Sequence, residues 1–174
     1  MNETVDSPPT PDADALARFL CFDLYAASRA ITGVYRHLLD PLGLTYPQYL
    51  VLVVLWQRES ATVREVIEAL QLDYGTVSPL LKRLEARGLV ERRRRPEDER
   101  SVDVTLTDAG RALQHEAAGF AQVVTAALGL DEQDSEQFRR MLGRVRTSAA
   151  SEARRLSGAS SEPVAGSPAS TRDD

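Results

Sequence analysis

The chain has 174 residues, of which 43% are apolar and 27% charged, and its formal net charge is -5. This length allows one domain with a substantial core, and the acidic balance excludes a protein that coats nucleic acid with a uniformly basic surface. The single cysteine excludes an intrachain disulfide framework and a multi-cysteine zinc site. Any contact with nucleic acid must therefore be local, and one cysteine is typical of a reducing compartment.

The two ends of the chain differ in composition from its middle. Residues 1–12 and 157–174 are rich in Ser, Pro, Ala and Asp, which predicts disordered tails. The first residues lack the basic and apolar regions of a signal peptide, and the longest apolar run, residues 49–56, is far shorter than the roughly 20 residues of a membrane helix. We therefore expect a soluble cytoplasmic protein with no membrane segment.

Two helices are predicted in the first third of the chain. From about residue 15, apolar side chains recur with a 3.6-residue period until the chain reaches Pro41, which indicates a long amphipathic helix. Thr45 and Pro47 then open a second helix through Trp56. Since this helix is apolar nearly all round, we expect it to be buried.

A pair of short helices follows. Thr62 with Glu65 three residues later forms a capping box for the first of them. Asp73 caps the next helix, which is expected to end at Gly88. Two short helices joined by a tight turn predict a helix-turn-helix.

The runs LVERRRR and SVDVTLT have strand character and are separated by the polar turn PEDE, which predicts a β-hairpin. A helix capped by Thr107 is expected to continue through Leu128, and a last helix capped by Asp131 to about Leu156. The order of elements indicates a mainly α protein, a winged helix-turn-helix with a two-stranded β wing.

The second helix of the helix-turn-helix has residues suited to DNA. Small and hydroxyl side chains at its N-terminal part permit close approach to the major groove, and basic side chains further along reach phosphates. The candidates are Gly75, Thr76, Ser78, Lys82 and Arg83, with Arg87 one turn further along. The alternative is an ordinary amphipathic helix whose polar side faces water.

The hairpin concentrates positive charge in an acidic chain. Between residues 64 and 100 there are nine basic and eight acidic side chains, so this segment is close to neutral while the rest is acidic. Arg92 and Arg94 are candidates for phosphate contacts, and Arg100 is expected to enter the minor groove with its guanidinium oriented by Asp98. The alternatives are a solvated strand edge and a nuclear localisation signal.

Three segments carry a family resemblance: LTYPQYLVLVVLW, LDYGTVSPLLKRLEARGLV and EDERSVDVTLTDAG. They resemble the MarR family of winged-helix repressors over about residues 15–150, and the segment from LCFDLY to YPQYL is similar to its organic-hydroperoxide sensors, the OhrR group. The resemblance implies that Cys21 is the peroxide-sensing thiol and that Tyr35 and Tyr46 hydrogen-bond its sulfur across a homodimer. Tyr74 departs from the family pattern, in which a small polar residue is common.

Spacing supports a contact between two chains. Cys21 and Tyr35 are fourteen residues apart on one predicted helix, about 21 Å at 1.5 Å per residue, so they cannot touch within one chain. A two-fold dimer would supply the contact and set two recognition helices one turn of DNA apart. We expect dimerisation through residues 13–44 and 108–156 and DNA binding through residues 45–107.

These features predict a repressor that binds an inverted-repeat operator when Cys21 is reduced and releases it after oxidation by organic hydroperoxide. With no second cysteine, the oxidised sulfur stays sulfenic, over-oxidises or forms a mixed disulfide with a small thiol. Three alternatives remain: a repressor that senses a small aromatic ligand, a thiol peroxidase, and a cysteine that only fills space on an apolar helix face. No cofactor or metal is expected, and His37 and His115 are interpreted as surface residues.

Overall fold

The computed structural model describes residues 16–95 and 98–159, except for the side chains of residues 17, 98–100, 158 and 159. The chain divides after Leu128 into two compact units.

The first unit begins with two helices joined by a tight turn. A helical turn, Leu16–Arg18, precedes α1 (Leu20–Leu39), and a second short turn, Asp40–Leu42, leads to α2 (Tyr46–Arg58). The predicted first helix is confirmed, but α1 starts later than expected because Phe19 is extended, with φ -104° and ψ 105°. Proline in the Asp40–Leu42 turn removes a backbone donor, which favours the change of direction there.

The helix-turn-helix and wing follow as predicted. The elements are β1 (Ser60–Thr62), α3 (Val63–Leu70), α4 (Tyr74–Ala86), β2 (Val90–Arg95) and β3 (Asp98–Leu106). The strands form an antiparallel sheet in the order β1-β3-β2, so the wing expected to have two strands pairs with a third. Because β1 has three residues, it is too short to show an alternating pattern in the sequence.

The predicted helix caps are confirmed. The Thr62 backbone N–H donates to Glu65 Oε2 at 2.7 Å, and the Glu65 N–H donates to Thr62 Oγ1 at 3.2 Å. The Thr45 N–H likewise donates to Oε1 of the buried Gln48 at 2.9 Å. These bonds satisfy backbone donors that a helix start leaves free, which fixes where α2 and α3 begin.

The core of this unit surrounds α2. Its fully buried side chains come from α1, α2, α3, α4 and the sheet, which explains why a nearly all-apolar helix is accommodated. They are Leu39, Val51, Leu52, Leu55, Val66, Val77, Leu81, Leu84, Val90 and Val104.

The helix expected from Thr107 to Leu128 is two helices. They are α5 (Asp108–Glu116) and α6 (Phe120–Ala127), and Gly119 between them has φ 93°. This left-handed conformation favours glycine and interrupts the helical path, so the prediction of one continuous helix was wrong.

The second unit contains α7 (Glu132–Ala159), the last helix predicted from the sequence. Asp131 caps it, since the Asp134 N–H donates to Asp131 Oδ1 at 2.7 Å. Four apolar side chains at helical spacing are exposed on it: Phe138, Met141, Leu142 and Val145.

Over the described residues no single helix is long and apolar enough to cross a membrane. One consecutive pair, α1 with its following turn and α2, meets that test jointly but is bent by 76°.

Candidate thiol site and nucleic-acid interface

Cys21 is the second residue of α1 and is exposed in the single chain. Large apolar side chains around it are also exposed: Leu16 by 52%, Phe19 by 55%, Leu20 by 70% and Tyr25 by 54%. The thiol is therefore accessible and lies in an apolar patch, which we call the thiol patch (Leu16, Phe19, Leu20, Cys21 and Tyr25). Such a surface favours an apolar reactant or a second protein surface.

Tyr35 and Tyr46 lie together. Tyr35 is on α1 and Tyr46 is the first residue of α2, and their ring centroids are 4.4 Å apart. Burial raises the pKa of both phenols, and the proximity of Tyr46 raises the pKa of Tyr35 further. Both hydroxyls therefore remain protonated at neutral pH and are able to donate a hydrogen bond to an anionic acceptor.

The tyrosine pair belongs to a larger aromatic cluster that the sequence interpretation missed. Tyr49 is 5.5 Å from Tyr35, 5.9 Å from Trp56 and 6.3 Å from Phe120, measured between ring centroids. The spacing of three residues between Tyr46 and Tyr49 on α2 is the signal that places both on one helix face. This cluster holds the two candidate tyrosines against the core.

The thiol patch and the tyrosine pair are at different ends of α1. Cys21 and Tyr35 are both on this unbroken helix, which confirms the premise of the spacing argument. The structure therefore brings Tyr35 and Tyr46 together but keeps Cys21 of the same chain away from them.

An open crevice of about 550 Å³ lies beside Tyr46. Its walls come from the exposed side of α1 and the start of α2, and include Tyr25, Arg29, Arg36 and Thr45. The Arg29 guanidinium donates to the Tyr25 hydroxyl at 3.0 Å and lies over its ring, while Arg36 pairs with Asp40. The crevice thus combines aromatic and cationic groups next to the phenols.

The start of α4 is held by its cap. Asp73 Oδ1 accepts from the Thr76 N–H at 2.8 Å, and Asp73 Oδ2 accepts from the Thr76 hydroxyl at 2.9 Å. These bonds keep the pKa of the Asp73 carboxyl below its ordinary value. A Cβ on Gly75 would lie 3.0 Å from Asp73 Oδ1, so glycine there also serves the cap. In this state the Thr76 hydroxyl offers only its lone pairs to a base edge.

The remaining candidates on α4 are at its surface. Lys82 and Arg83 are exposed. Ser78 and the exposed Tyr74 line a crevice of about 430 Å³, which α3, α4 and the hairpin enclose. Tyr74 therefore lines the expected DNA surface, at a position where the sequence departs from the pattern of the family that it resembles.

Three of the four arginines at 92–95 are paired with carboxylates. Arg92 Nη2 is 2.7 Å from Glu85 Oε2, Arg93 Nη2 is 2.8 Å from Glu91 Oε2, and Arg95 Nη2 is 2.9 Å from Asp103 Oδ1. Among the residues that the structure describes, Arg94 has no ion pair, and its side chain is exposed. Arg92, a candidate DNA contact, thus braces the hairpin against α4, while Arg94 is better suited to a phosphate.

Two further candidates, Asp98 and Arg100, begin β3, but their side chains lie outside the described residues. The predicted pairing of these two side chains therefore stays a prediction. His37 and His115 are exposed, as expected for surface residues.

Comparisons with known proteins agree with this architecture. The profile of the MarR family matches residues 44–102. The chain is 47% identical over 122 residues to the organic hydroperoxide resistance transcriptional regulator of Bacillus subtilis. The aligned residues cover 70% of this chain and 81% of that protein.

Solved structures give the same picture. Reduced AbfR bound to DNA superimposes with a TM-score of 0.65 at 33% identity, covering 76% of this chain and 93% of AbfR, a Staphylococcus epidermidis protein. AbfR is also known over-oxidised on DNA and in a disulfide form. Bordetella bronchiseptica BpsR, whose DNA binding is regulated by 6-hydroxynicotinic acid, superimposes with a TM-score of 0.67 at 29% identity, covering 73% of this chain and 98% of BpsR.

Proposed function

The chain belongs to the MarR family of transcriptional regulators, and from that premise we propose that it is a redox-sensing repressor. It binds an inverted-repeat operator in the cytoplasm while Cys21 is reduced, and it releases the operator when an organic hydroperoxide oxidises that thiol. It is a regulator and not an enzyme, which removes the thiol peroxidase alternative.

One observation carries the proposal: the exposed thiol and the two phenol hydroxyls that could donate hydrogen bonds to it are far apart within one chain. Cys21 lies in the thiol patch at one end of α1, and Tyr35 and Tyr46, whose rings are in contact, lie towards the other end. In a two-fold dimer with α1 helices side by side, the thiol of one chain reaches the phenols of its partner. Their protonated hydroxyls then stabilise the thiolate, which is the form that attacks a peroxide.

A dimer is supported by apolar surface that the single chain leaves exposed. The thiol patch on α1 and the exposed apolar face of α7 lie in the two segments, residues 13–44 and 108–156, that we assign to dimerisation. Residues 45–107 are then the DNA-binding part. Burial of those faces in a second copy would also place two α4 helices against successive major grooves.

The chemistry at the thiol is a nucleophilic displacement on oxygen. The Cys21 thiolate attacks the terminal peroxide oxygen, an S–O bond forms as the O–O bond breaks, and the alkoxide leaves and takes up a proton as an alcohol. The resulting sulfenic acid then reacts with a small thiol, which forms a mixed disulfide and releases water, or it is oxidised further by more peroxide. Each product is larger than the thiol and displaces the phenols that contacted it.

A second candidate is release by a small aromatic ligand, with Cys21 as a spectator. The crevice beside Tyr46, with its aromatic and cationic walls, favours an aromatic acid, and regulation of BpsR by 6-hydroxynicotinic acid is a precedent in a similar fold. The apolar surroundings of Cys21, which suit an apolar hydroperoxide, favour the redox mechanism over this one.

Operator binding measured before and after one equivalent of organic hydroperoxide tests the proposal directly. We expect the reduced protein to bind and the oxidised protein to release, and dithiothreitol to restore binding if the product is a sulfenic acid or mixed disulfide. Unchanged binding after mass spectrometry has confirmed oxidation of Cys21 would reject redox sensing. Release by an aromatic acid alone would favour the second candidate.

The wing gives a prediction about DNA contact. Arg94 is exposed and has no ion pair among the described residues. Arg94→Ala should therefore weaken binding to all DNA sequences and lower the slope of log affinity against log salt concentration by about one, as expected for the loss of one phosphate contact. Arg100→Ala should weaken operator binding by about 1 to 3 kcal/mol, as expected for an arginine in the minor groove. Affinity measured over a salt series checks both, with Arg172→Ala as a control of equal charge change. Wild-type affinity in both variants would remove the wing from the interface.

A further inference from the structure

Arg87 connects the recognition helix to the turn between α1 and α2. It is the C-cap residue of α4, and its guanidinium donates to two backbone carbonyls of that turn. Nη1 is 2.7 Å from the Gly43 oxygen and Nη2 is 2.8 Å from the Leu42 oxygen. Two parallel charge-assisted bonds from one planar group define both distance and orientation between the elements they join.

The turn that Arg87 holds is closed by backbone hydrogen bonds and anchored by buried side chains. Gly43 has φ 61°, and its N–H donates to the Asp40 oxygen at 3.0 Å, while the Leu44 N–H donates to the Leu39 oxygen at 3.1 Å. Leu39 and Leu44 are both buried in the core. A displacement applied at one end of this turn is therefore passed on to its other contacts, since closed hydrogen bonds and buried anchors leave little room for it to deform.

The candidate sensor residues act on this same turn. Tyr46 begins α2 three residues after Gly43, and its ring packs against that of Tyr35, which is four residues before Leu39 on α1. Tyr46 lies about one helical turn after the segment that Arg87 grips, and Tyr35 lies about two turns before it, so the two tyrosines flank that segment. Arg87 itself is at the C-terminal end of the recognition helix α4, so its two hydrogen bonds join that end of α4 to the turn.

We propose that Arg87 is the residue that couples the thiol site to the recognition helix. Movement of Tyr35 and Tyr46 shifts the α1–α2 turn, and the Arg87 guanidinium pulls the C-terminal end of α4 with it, which changes the angle of α4 in the major groove. This inference rests on the proposed redox function. Arg87 acts here as a positioning residue that contacts neither peroxide nor DNA, although the sequence alone suggested a phosphate contact for it.

Arg87→Met tests the coupling, because methionine keeps the apolar stem and removes the guanidinium. We expect the reduced variant to bind operator within about twofold of wild type with the same salt dependence, and Cys21 to be oxidised at the wild-type rate. The loss of affinity on oxidation, which for allosteric couplings is typically about 5- to 150-fold, should fall to about threefold or less. Arg87→Lys retains the charge but not the two parallel hydrogen bonds, so its loss of affinity on oxidation should be intermediate between those of the wild type and Arg87→Met.

Arg111→Met is the matched control. Arg111 is also a partly exposed arginine that clamps two elements, through the Leu106 oxygen at 2.9 Å and Glu59 at 3.3 Å, but it does not touch the α1–α2 turn. The Arg111→Met protein should retain the full loss of affinity on oxidation. Thermal unfolding of Arg87→Met and Arg111→Met will show whether the two variants lose comparable stability.

The outcomes separate the inference from the function on which it rests. If the wild type itself keeps its affinity after oxidation, the redox function fails. If the wild type releases DNA and Arg87→Met releases it to the same extent, the coupling role of Arg87 is wrong. A loss of affinity in reduced Arg87→Met with a shallower salt dependence would also overturn it, since that result assigns Arg87 to a phosphate.

Discussion

We expect the Cys21→Ser protein to bind its operator as tightly as the reduced wild type and to remain bound when organic hydroperoxide is added. Serine preserves the size and the hydrogen-bonding role of the thiol but forms no sulfenic acid. Cys21 is also the one cysteine of the chain, so no second thiol can replace it. The response should therefore be abolished, while fold, assembly and DNA affinity are retained. Titration of operator DNA with each protein, before and after peroxide, measures this effect.

Two phenol variants serve as graded controls for the same experiment. If Tyr35 and Tyr46 stabilise the thiolate by donating hydrogen bonds to it, Tyr35→Phe and Tyr46→Phe should each slow oxidation at neutral pH, with little change in DNA affinity. The rate of oxidation, followed by mass spectrometry of Cys21, measures the effect of each variant. Release of the Cys21→Ser protein by hydroperoxide would contradict thiol sensing altogether. Its release by an aromatic acid, with no response of the wild type to peroxide, would instead favour ligand sensing.

The elements that could be predicted from the sequence are those defined by neighbouring residues. The capping box of Thr62 and Glu65 and the cap at Asp73 depend on partners three residues away, so the sequence contains both halves of each interaction. The hairpin is similar, because its two strands and their turn are adjacent. Local chemistry therefore suffices for a helix-turn-helix with a wing.

What the sequence could not indicate depends on how distant segments meet. Glu85 and Arg92 are on different elements, and they pair only because the hairpin folds back along α4. The run of arginines consequently looks more available for DNA in the sequence than it is in the folded chain. The grip of Arg87 on Gly43, 44 residues away, is equally invisible to patterns of spacing.

The thiol site lies between these two cases. Tyr35 and Tyr46 are eleven residues apart around a turn, and Pro41 indicates that the chain changes direction between them, which is consistent with the contact between their rings. The position of Cys21 relative to the phenols, by contrast, requires a second chain. Spacing excludes an intrachain contact, and only the family resemblance says which contact replaces it.

Gly110→Ala should destabilise the protein although it replaces glycine inside a helix. Gly110 is the third residue of α5, and a Cβ there would lie 2.1 Å from the Leu89 carbonyl oxygen, which also accepts the Thr107 N–H at 3.2 Å. The Gly110 oxygen in turn accepts from Trp56 Nε1 at 2.9 Å, so the position joins α5 to α2 and to the start of the hairpin. Because a backbone atom cannot swing aside as a flexible side chain does, the added methyl must separate α5 from that segment.

The sign of the stability change distinguishes packing from helix propensity. Propensity alone favours alanine over glycine by about 1 kcal/mol, whereas overpacking a tight site costs about 1 to 3 kcal/mol and sometimes more. We expect a net loss of about 2 kcal/mol in the free energy of unfolding, measured in urea, together with weaker operator binding because the wing is displaced. The opposite exchange at an exposed site of the same helix, Ala112→Gly, should cost about 1 kcal/mol through propensity and leave DNA binding unchanged. A Gly110→Ala protein more stable than wild type would mean that α5 and Leu89 do not approach as closely as this junction requires.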